Sequence, residues 1–115
     1  MSGHSLGAAV STIIGVDIYS KGYKAVVYNF ASPRVGDKVF CDFVNKLGLN
    51  IFRVVNTAEI VPNLPPSVSP NFKQPDQPYE YIHCGTLKTF ADNWKSVLNN
   101  HLIGVYMKAL KSMPT

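Results

Sequence analysis

Apolar residues recur along the chain in two patterns: at helical spacing in three segments, and in short continuous runs between them. The segment from Leu6 to about Lys21 predicts a helix that ends at Gly22. A second helix is predicted after Asp37, a good N-cap, and ends at Gly48. The last helix is predicted from about Asn100 to Lys111. The apolar positions of these helices are Leu6, Val10, Ile13, Ile14 and Ile18; Val39, Phe40, Phe43, Val44 and Leu47; and Leu102, Val105, Tyr106, Ala109 and Leu110.

Short, nearly continuous apolar runs lie between these helices and predict buried strands. Such runs occupy Lys24–Phe30 and Ile51–Val55, and Tyr79–His83 is a third strand candidate. The segment Asn56–Pro78 is rich in proline and predicts a long irregular loop. Thr86–Trp94 either extends the third strand or turns back. The alternation of elements predicts an α/β fold, with a mostly parallel sheet of about three strands and flanking helices.

Size and charge limit the classes of function. A chain of 115 residues forms one domain or a part of one, and its hydrophobic content of 46% is ordinary for a globular core. The net charge of +4 comes from scattered lysines, so no nucleic-acid partner is expected. No apolar stretch reaches the roughly 20 residues that cross a bilayer, and no signal peptide is predicted within this sequence, because Met1 is followed directly by a glycine turn. The sequence assigns no compartment.

The two cysteines are isolated in the sequence. Cys41 falls on a predicted apolar helix face and Cys84 in the predicted third strand. Two free, buried thiols are therefore favoured over a single disulfide. No cysteine and histidine have the spacing of a metal site, and neither a metal nor an organic cofactor is expected.

The candidate chemistry begins in the stretch Gly3-His4-Ser5-Leu6-Gly7. The spacing G-x-S-x-G is typical of a nucleophile elbow, a tight strand-to-helix turn that strains the serine backbone and projects its hydroxyl. Because side chains two residues either side of Ser5 would collide, glycine is predicted to be needed at both Gly3 and Gly7. The N–H of Leu6, at the start of the helix, is the expected donor to an oxyanion. An ordinary glycine-rich turn with a surface serine has the same pattern, so other residues of the chain have to distinguish an elbow from such a turn.

A serine nucleophile needs a base, and the chain has three histidines. His4 lies beside the serine with its side chain pointing away, and it is assigned to packing or hydrogen bonding. His83 fits a hydrogen-bonded core position. His101 is preferred as the base, because it lies at a loop–helix boundary where the helix N-terminus disfavours the charged imidazolium. It also completes the α/β-hydrolase order of serine, acid and histidine.

The candidate acid is Glu59, which follows the strand Ile51–Val55 by a few residues. This is where the architecture places its acid, although an exposed surface carboxylate would also fit. Asp92, shortly before His101, is the reserve candidate. The remaining carboxylates fit solvated helix positions, a helix cap or loop positions: Asp17, Asp37, Asp42, Asp76 and Glu80.

Five stretches, in order, resemble the class 3, fungal-type triacylglycerol lipases. They are Gly3–Ala9, Phe30–Asp37, Arg53–Asn56, Glu59–Pro66 and Tyr81–Gly85, and His101 follows ahead of the final helix. The resemblance covers nearly the whole chain and concerns the C-terminal half of an α/β-hydrolase domain. It therefore implies that residues 1–115 form a single partial domain, without the N-terminal half that carries the oxyanion loop and the lid in that family.

The resemblance implies a serine hydrolase that cleaves carboxylic esters of lipids, most simply acylglycerols, through an acyl-enzyme. It implies Ser5 as the nucleophile, His101 as the base and Glu59 as the acid. The family has aspartate where this chain has Glu59, so about 1.5 Å of adjustment has to absorb the extra methylene. The implied partner is a lipid ester, with contact to a membrane or lipid-droplet surface as an option. The alternatives are a phospholipase or thioesterase activity, or a non-catalytic lipase-like module that binds a lipid or a partner.

Overall fold

The fold is built on a parallel sheet. A computed structural model describes residues 1–113. The main sheet has four parallel strands, in the order β1 (Ser2–His4), β2 (Val26–Phe30), β3 (Asn50–Asn56) and β6 (Thr86–Phe90). A separate antiparallel pair consists of β4 (Val68–Ser69) and β5 (Tyr79–Glu80). The helices are α1 (Leu6–Ser20), α2 (Lys38–Leu47), α3 (Val97–His101) and α4 (Ile103–Ser112), with a 3₁₀ turn at Val61–Asn63. The α/β class and the mostly parallel sheet are confirmed, with four main strands instead of about three.

The predicted third strand is wrong in its position. Tyr79–His83 contributes only its first two residues to the small antiparallel pair, and Ile82 makes an isolated bridge to Gly36. The parallel sheet is completed by β6, from the segment that was ambiguous in sequence. The turn into β6 occurs at Gly85, where φ is +97° and a Cβ would lie 2.5 Å from the Ile51 carbonyl oxygen. This close approach brings the chain beside β3 and keeps the preceding segment out of the main sheet.

Helix α1 buries the face opposite to the predicted one. Its buried residues are Ala8, Ser11, Thr12, Gly15 and Val16, whereas Leu6, Val10, Ile13 and Ile14 are exposed. A Cβ on Gly15 would lie 2.5 Å from Val27 Cγ2, so the helix packs closely against β2. Small residues are required on that face, and the larger apolar residues consequently lie on the outer face.

The other helices begin and end at recognisable signals. Asp37 caps α2, because its Oδ1 accepts the Phe40 N–H at 2.9 Å, and Gly48 ends α2 in the left-handed region with φ +78°. The predicted final helix is interrupted at Leu102, whose extended backbone separates α3 from α4. His101 therefore ends one helix, directly before the next one begins. No helix within residues 1–113 has the length and apolar character to cross a membrane.

A disulfide joins Cys41 to Cys84, so the expectation of two free thiols is wrong. Their Cα atoms lie 5.2 Å apart, although 43 positions separate them in sequence. Cys41 lies in α2, and Cys84 lies just before the turn into β6. The bond ties α2 to the segment that enters β6, and this pairing depends on a tertiary contact that sequence spacing does not reveal.

Candidate active site

Ser5 is the single residue between β1 and α1. It has φ +59° and ψ −127°, a positive-φ conformation that a residue with a Cβ adopts at a cost in free energy. Its N–H donates to the Phe30 carbonyl at 2.9 Å, which continues the pairing of β1 with β2. The strained serine at the carboxyl end of a parallel strand matches the predicted elbow.

The two glycines of the elbow have different surroundings. A Cβ on Gly3 would lie 2.2 Å from the Gly7 carbonyl oxygen and 2.6 Å from Ser11 Oγ. A Cβ on Gly7 would have no heavy atom within 4 Å among the described residues, apart from its chain neighbours and the backbone of its own helix. The predicted steric need for glycine is therefore confirmed at Gly3 and wrong at Gly7, because Gly7 lies on the exposed side of α1.

Ser5, His101 and Glu59 form one hydrogen-bonded chain. His101 Nε2 lies 2.6 Å from Ser5 Oγ, and His101 Nδ1 lies 2.7 Å from Glu59 Oε2. The Glu59 side chain is fully buried and that of His101 is 21% exposed. With an ionised Glu59, Nδ1 carries the proton and Nε2 is free to accept the serine hydroxyl. The structure thus brings together the three residues selected from the sequence.

The second carboxylate oxygen of Glu59 has its own donor. The Tyr106 hydroxyl, from α4, donates to Glu59 Oε1 at 2.5 Å. A buried carboxylate is costly unless hydrogen bonds replace its lost hydration. His101 and Tyr106 supply one donor to each oxygen, so the whole carboxylate is held in place.

Two buried asparagines join the segments that carry the candidate acid and base. Asn56, at the end of β3, accepts the Ala58 N–H at its Oδ1 over 3.1 Å and donates from Nδ2 to the Asn100 carbonyl over 3.3 Å. Asn100 Nδ2 in turn donates to the Ala58 carbonyl at 2.9 Å. Because Ala58 precedes Glu59 and Asn100 precedes His101, this network fixes one segment relative to the other.

The reserve candidate for the acid, Asp92, does not take part in the hydrogen-bonded chain of Ser5, His101 and Glu59. Asp92 interacts with Asn56 through its main-chain N–H and carbonyl groups, and both ring nitrogens of His101 are engaged by Ser5 and Glu59. No group of three or more histidine, cysteine or carboxylate side chains within residues 1–113 has an arrangement that could hold a metal ion.

His83 makes the hydrogen bond expected for it, although its position is partly buried instead of in the core. Its Nε2 donates to the Pro62 carbonyl at 2.5 Å. Burial lowers the pKa of His83 to about 4, and the nearby cations of Arg53 and Arg34 lower it further against the opposing effect of the carbonyl. The Arg34 guanidinium donates to the Asn63 carbonyl at 2.7 Å. Both side chains therefore hold the 3₁₀ turn that follows Glu59.

The sequence did not predict the roles of three residues at the site: Tyr106, Asn56 and Asn100. Tyr106 was assigned only to an apolar helix face, although a core-facing tyrosine needs a partner for its hydroxyl. Asn56 ends an apolar strand and Asn100 adjoins His101. Polar residues next to candidate site residues were the signal that could have identified both.

Parts of several known proteins are similar to this chain in sequence and in fold. Residues 1–69 match the family described as Lipase (class 3). Secreted mono- and diacylglycerol lipase A of Penicillium cyclopium is 47% identical over 64 residues, which are 55% of this chain and 21% of that protein. Phospholipase A1-II 4 of Oryza sativa subsp. japonica is 44% identical over 71 residues, which are 56% of this chain and 18% of that protein.

The solved structure of Rhizomucor miehei triacylglyceride lipase superposes with a TM-score of 0.65 at 31% identity, over 79% of this chain and 32% of that one. The chain spans about a fifth of the length of the two curated relatives. The family match extends over more than half of the chain and includes both the serine elbow and Glu59. On this match, the chain belongs to the class 3 lipase family.

Proposed function

We propose that this chain carries the triad of a serine esterase that hydrolyses carboxylic esters of lipids, most simply acylglycerols. The observation that carries the proposal is the unbroken chain of hydrogen bonds from Ser5 through His101 to Glu59. The lipase names of the relatives support the class of substrate. The strained serine backbone adds independent support, because strain of this kind concentrates at functional sites.

The proposed reaction begins with Ser5 Oγ attacking the ester carbonyl carbon while His101 Nε2 takes the hydroxyl proton. Glu59 accepts the Nδ1–H and stabilises the imidazolium that forms. Collapse of the tetrahedral intermediate breaks the ester C–O bond, and His101 returns the proton to the alcohol leaving group. A water molecule, deprotonated by the same nitrogen, then releases the acid from the acyl-enzyme.

Leu6 is proposed to stabilise the oxyanion with its main-chain N–H. It is the first residue of α1, so its N–H has no acceptor within the helix and lies at the positive end of the helix dipole. A donor of this kind typically contributes about 10² to 10³ in rate. The adjoining Ser5 places this N–H beside the carbon under attack.

Exposed apolar side chains adjoin the proposed triad and offer surface to a lipid substrate. The residue after each triad member is an exposed apolar side chain: Leu6 is 73%, Ile60 is 50% and Leu102 is 48% exposed. Acyl chains, or the surface of a membrane or lipid droplet, would cover apolar area of this kind. A phospholipid ester fits the same surface, so substrate preference has to be measured.

The experiment is hydrolysis of a monoacylglycerol, of phosphatidylcholine vesicles and of a medium-chain p-nitrophenyl ester by the purified chain, with Ser5→Ala as the control. We expect slow release of fatty acid that Ser5→Ala abolishes, and the relative rates on the monoacylglycerol and the phospholipid give the substrate preference. Hydrolysis that persists in Ser5→Ala would contradict the assigned nucleophile. Vesicle binding without hydrolysis by the wild-type chain would instead identify a non-catalytic binding module.

A further inference from the structure

We propose that His4 is a positioning residue for His101, a role that rests on the proposed triad. His4 Nε2 lies 2.7 Å from the main-chain carbonyl oxygen of His101, 97 positions away in sequence. A carbonyl oxygen only accepts, so Nε2 carries a hydrogen and donates it. The side chain beside the nucleophile thus holds the backbone of the base.

The His101 carbonyl is a group that needs an external donor. His101 is the last residue of α3, and carbonyls in the last turn of a helix lack partners within that helix. The extended Leu102 then interrupts the chain before α4, and the Val105 N–H bonds the Leu102 carbonyl instead. The imidazole of His4 therefore caps the end of α3.

His4 and Ser5 are consecutive, and together they contact His101 at two points. Ser5 Oγ meets the ring at Nε2, while His4 meets the main chain at the carbonyl. Two fixed points on one residue restrict both the translation of its backbone and the direction of its ring. The elbow thereby sets the distance between nucleophile and base, and an error of about 1 Å in such a distance can cost about 10² in rate.

The His4 ring also has packing contacts, which define the competing explanation. Its centroid lies 4.8 Å from that of His101 and 5.8 Å from that of Tyr106. A purely structural role would need the ring but not its N–H. Two variants separate these roles: His4→Phe keeps a planar ring without a donor, and His4→Gln keeps an N–H near the position of Nε2 without the ring.

The first measurement is the rate at which a fluorophosphonate labels Ser5 in the wild-type chain, His4→Gln and His4→Phe. We expect His4→Phe to be labelled about tenfold more slowly than wild type, and His4→Gln to recover most of the wild-type rate. Rates that are equal in the two variants, or slower in His4→Gln, would overturn the proposal.

The second measurement does not require a reactive serine. The His101 Nδ1 proton, held by Glu59, gives a downfield NMR signal in a positioned site, and amide spectra show whether each variant is folded. We expect this signal to persist in His4→Gln and to broaden or shift in His4→Phe. An unchanged signal in folded His4→Phe would overturn the proposal. If wild-type Ser5 is not labelled, the proposed function fails, and this signal still decides the role of His4.

Discussion

Tyr106 donates its hydroxyl to the Glu59 oxygen that His101 does not use. The same hydroxyl oxygen accepts the Asn56 main-chain N–H at 3.0 Å. Burial raises the pKa of Tyr106 above its ordinary value, and the hydrogen bond to Glu59 raises it further. The hydroxyl therefore stays protonated across the working range of pH, as a fixed donor beneath the carboxylate.

Tyr106→Phe should lower the free energy of unfolding by about 1 to 3 kcal/mol, because Glu59 Oε1 and the Asn56 N–H both lose a buried partner. Urea unfolding measures this change. Tyr79→Phe is the matched control, since Tyr79 is 49% exposed and its change should stay within about 0.5 kcal/mol. Equal stabilities for the two variants would argue against an energetic role for the buried hydroxyl.

The two elbow glycines should respond differently to the same substitution. Gly3→Ala should disrupt the elbow, because its methyl group would meet the Gly7 carbonyl and Ser11. Gly7→Ala should be tolerated and should stabilise α1 by up to about 1 kcal/mol, since alanine is the better helix former. Circular dichroism melts of both variants test this difference, and an intact Gly3→Ala protein would show that the elbow can relax.

The disulfide should contribute substantially to stability. Joining Cys41 to Cys84 closes a loop across a sequence separation of 43, for which a stabilisation of about 2 to 4 kcal/mol is typical. The double variant Cys41→Ala/Cys84→Ala should lose this amount in urea unfolding, and dithiothreitol should lower only the stability of the wild-type chain. Mass spectrometry under non-reducing conditions checks the bond, and two free thiols in the oxidised protein would contradict it.

His83 should make stability depend on pH in a defined range. Its pKa is about 4 when folded, against an ordinary value of 6.5, so the unfolded chain binds more protons between these values. Because solvent screens the partly exposed ring, we expect stability to fall by about 1 to 2 kcal/mol as the pH drops from about 7.5 to 4, with little slope from His83 above about 7.5. His83→Gln should flatten this part of the profile, whereas an identical slope in the variant would exclude His83 as the source.

Local signals in the sequence predicted the elements better than their arrangement. The cap at Asp37, the stop at Gly48 and the elbow at Ser5 depend on neighbouring residues, and all three occur where expected. The prediction of the buried face of α1 was wrong, because the close contact of this helix with Val27 requires small residues where large apolar ones were expected. The position of β6 depends on how Gly85 fits against Ile51, which hydrophobic periodicity does not encode.

At the candidate site, too, some residues could be predicted from the sequence and others could not. Ser5, Glu59 and His101 could be selected from a motif, a chain order and a family resemblance. The supports of the site, among them Tyr106 and the two asparagines, act through contacts between residues more than 40 positions apart. Such contacts exist only after folding, so their residue types alone indicated packing or loops.

The central claim is that His101 and Glu59 activate Ser5, and fluorophosphonate labelling tests it most directly. Intact-mass and peptide analysis would measure the labelling rate and its site in the wild-type chain, His101→Gln and Glu59→Gln. We expect adducts on Ser5 alone, with rates reduced by about 10³-fold or more in both variants. Labelling of Ser5 at the wild-type rate in either variant, or no preference for Ser5 over the other serines, would contradict the account.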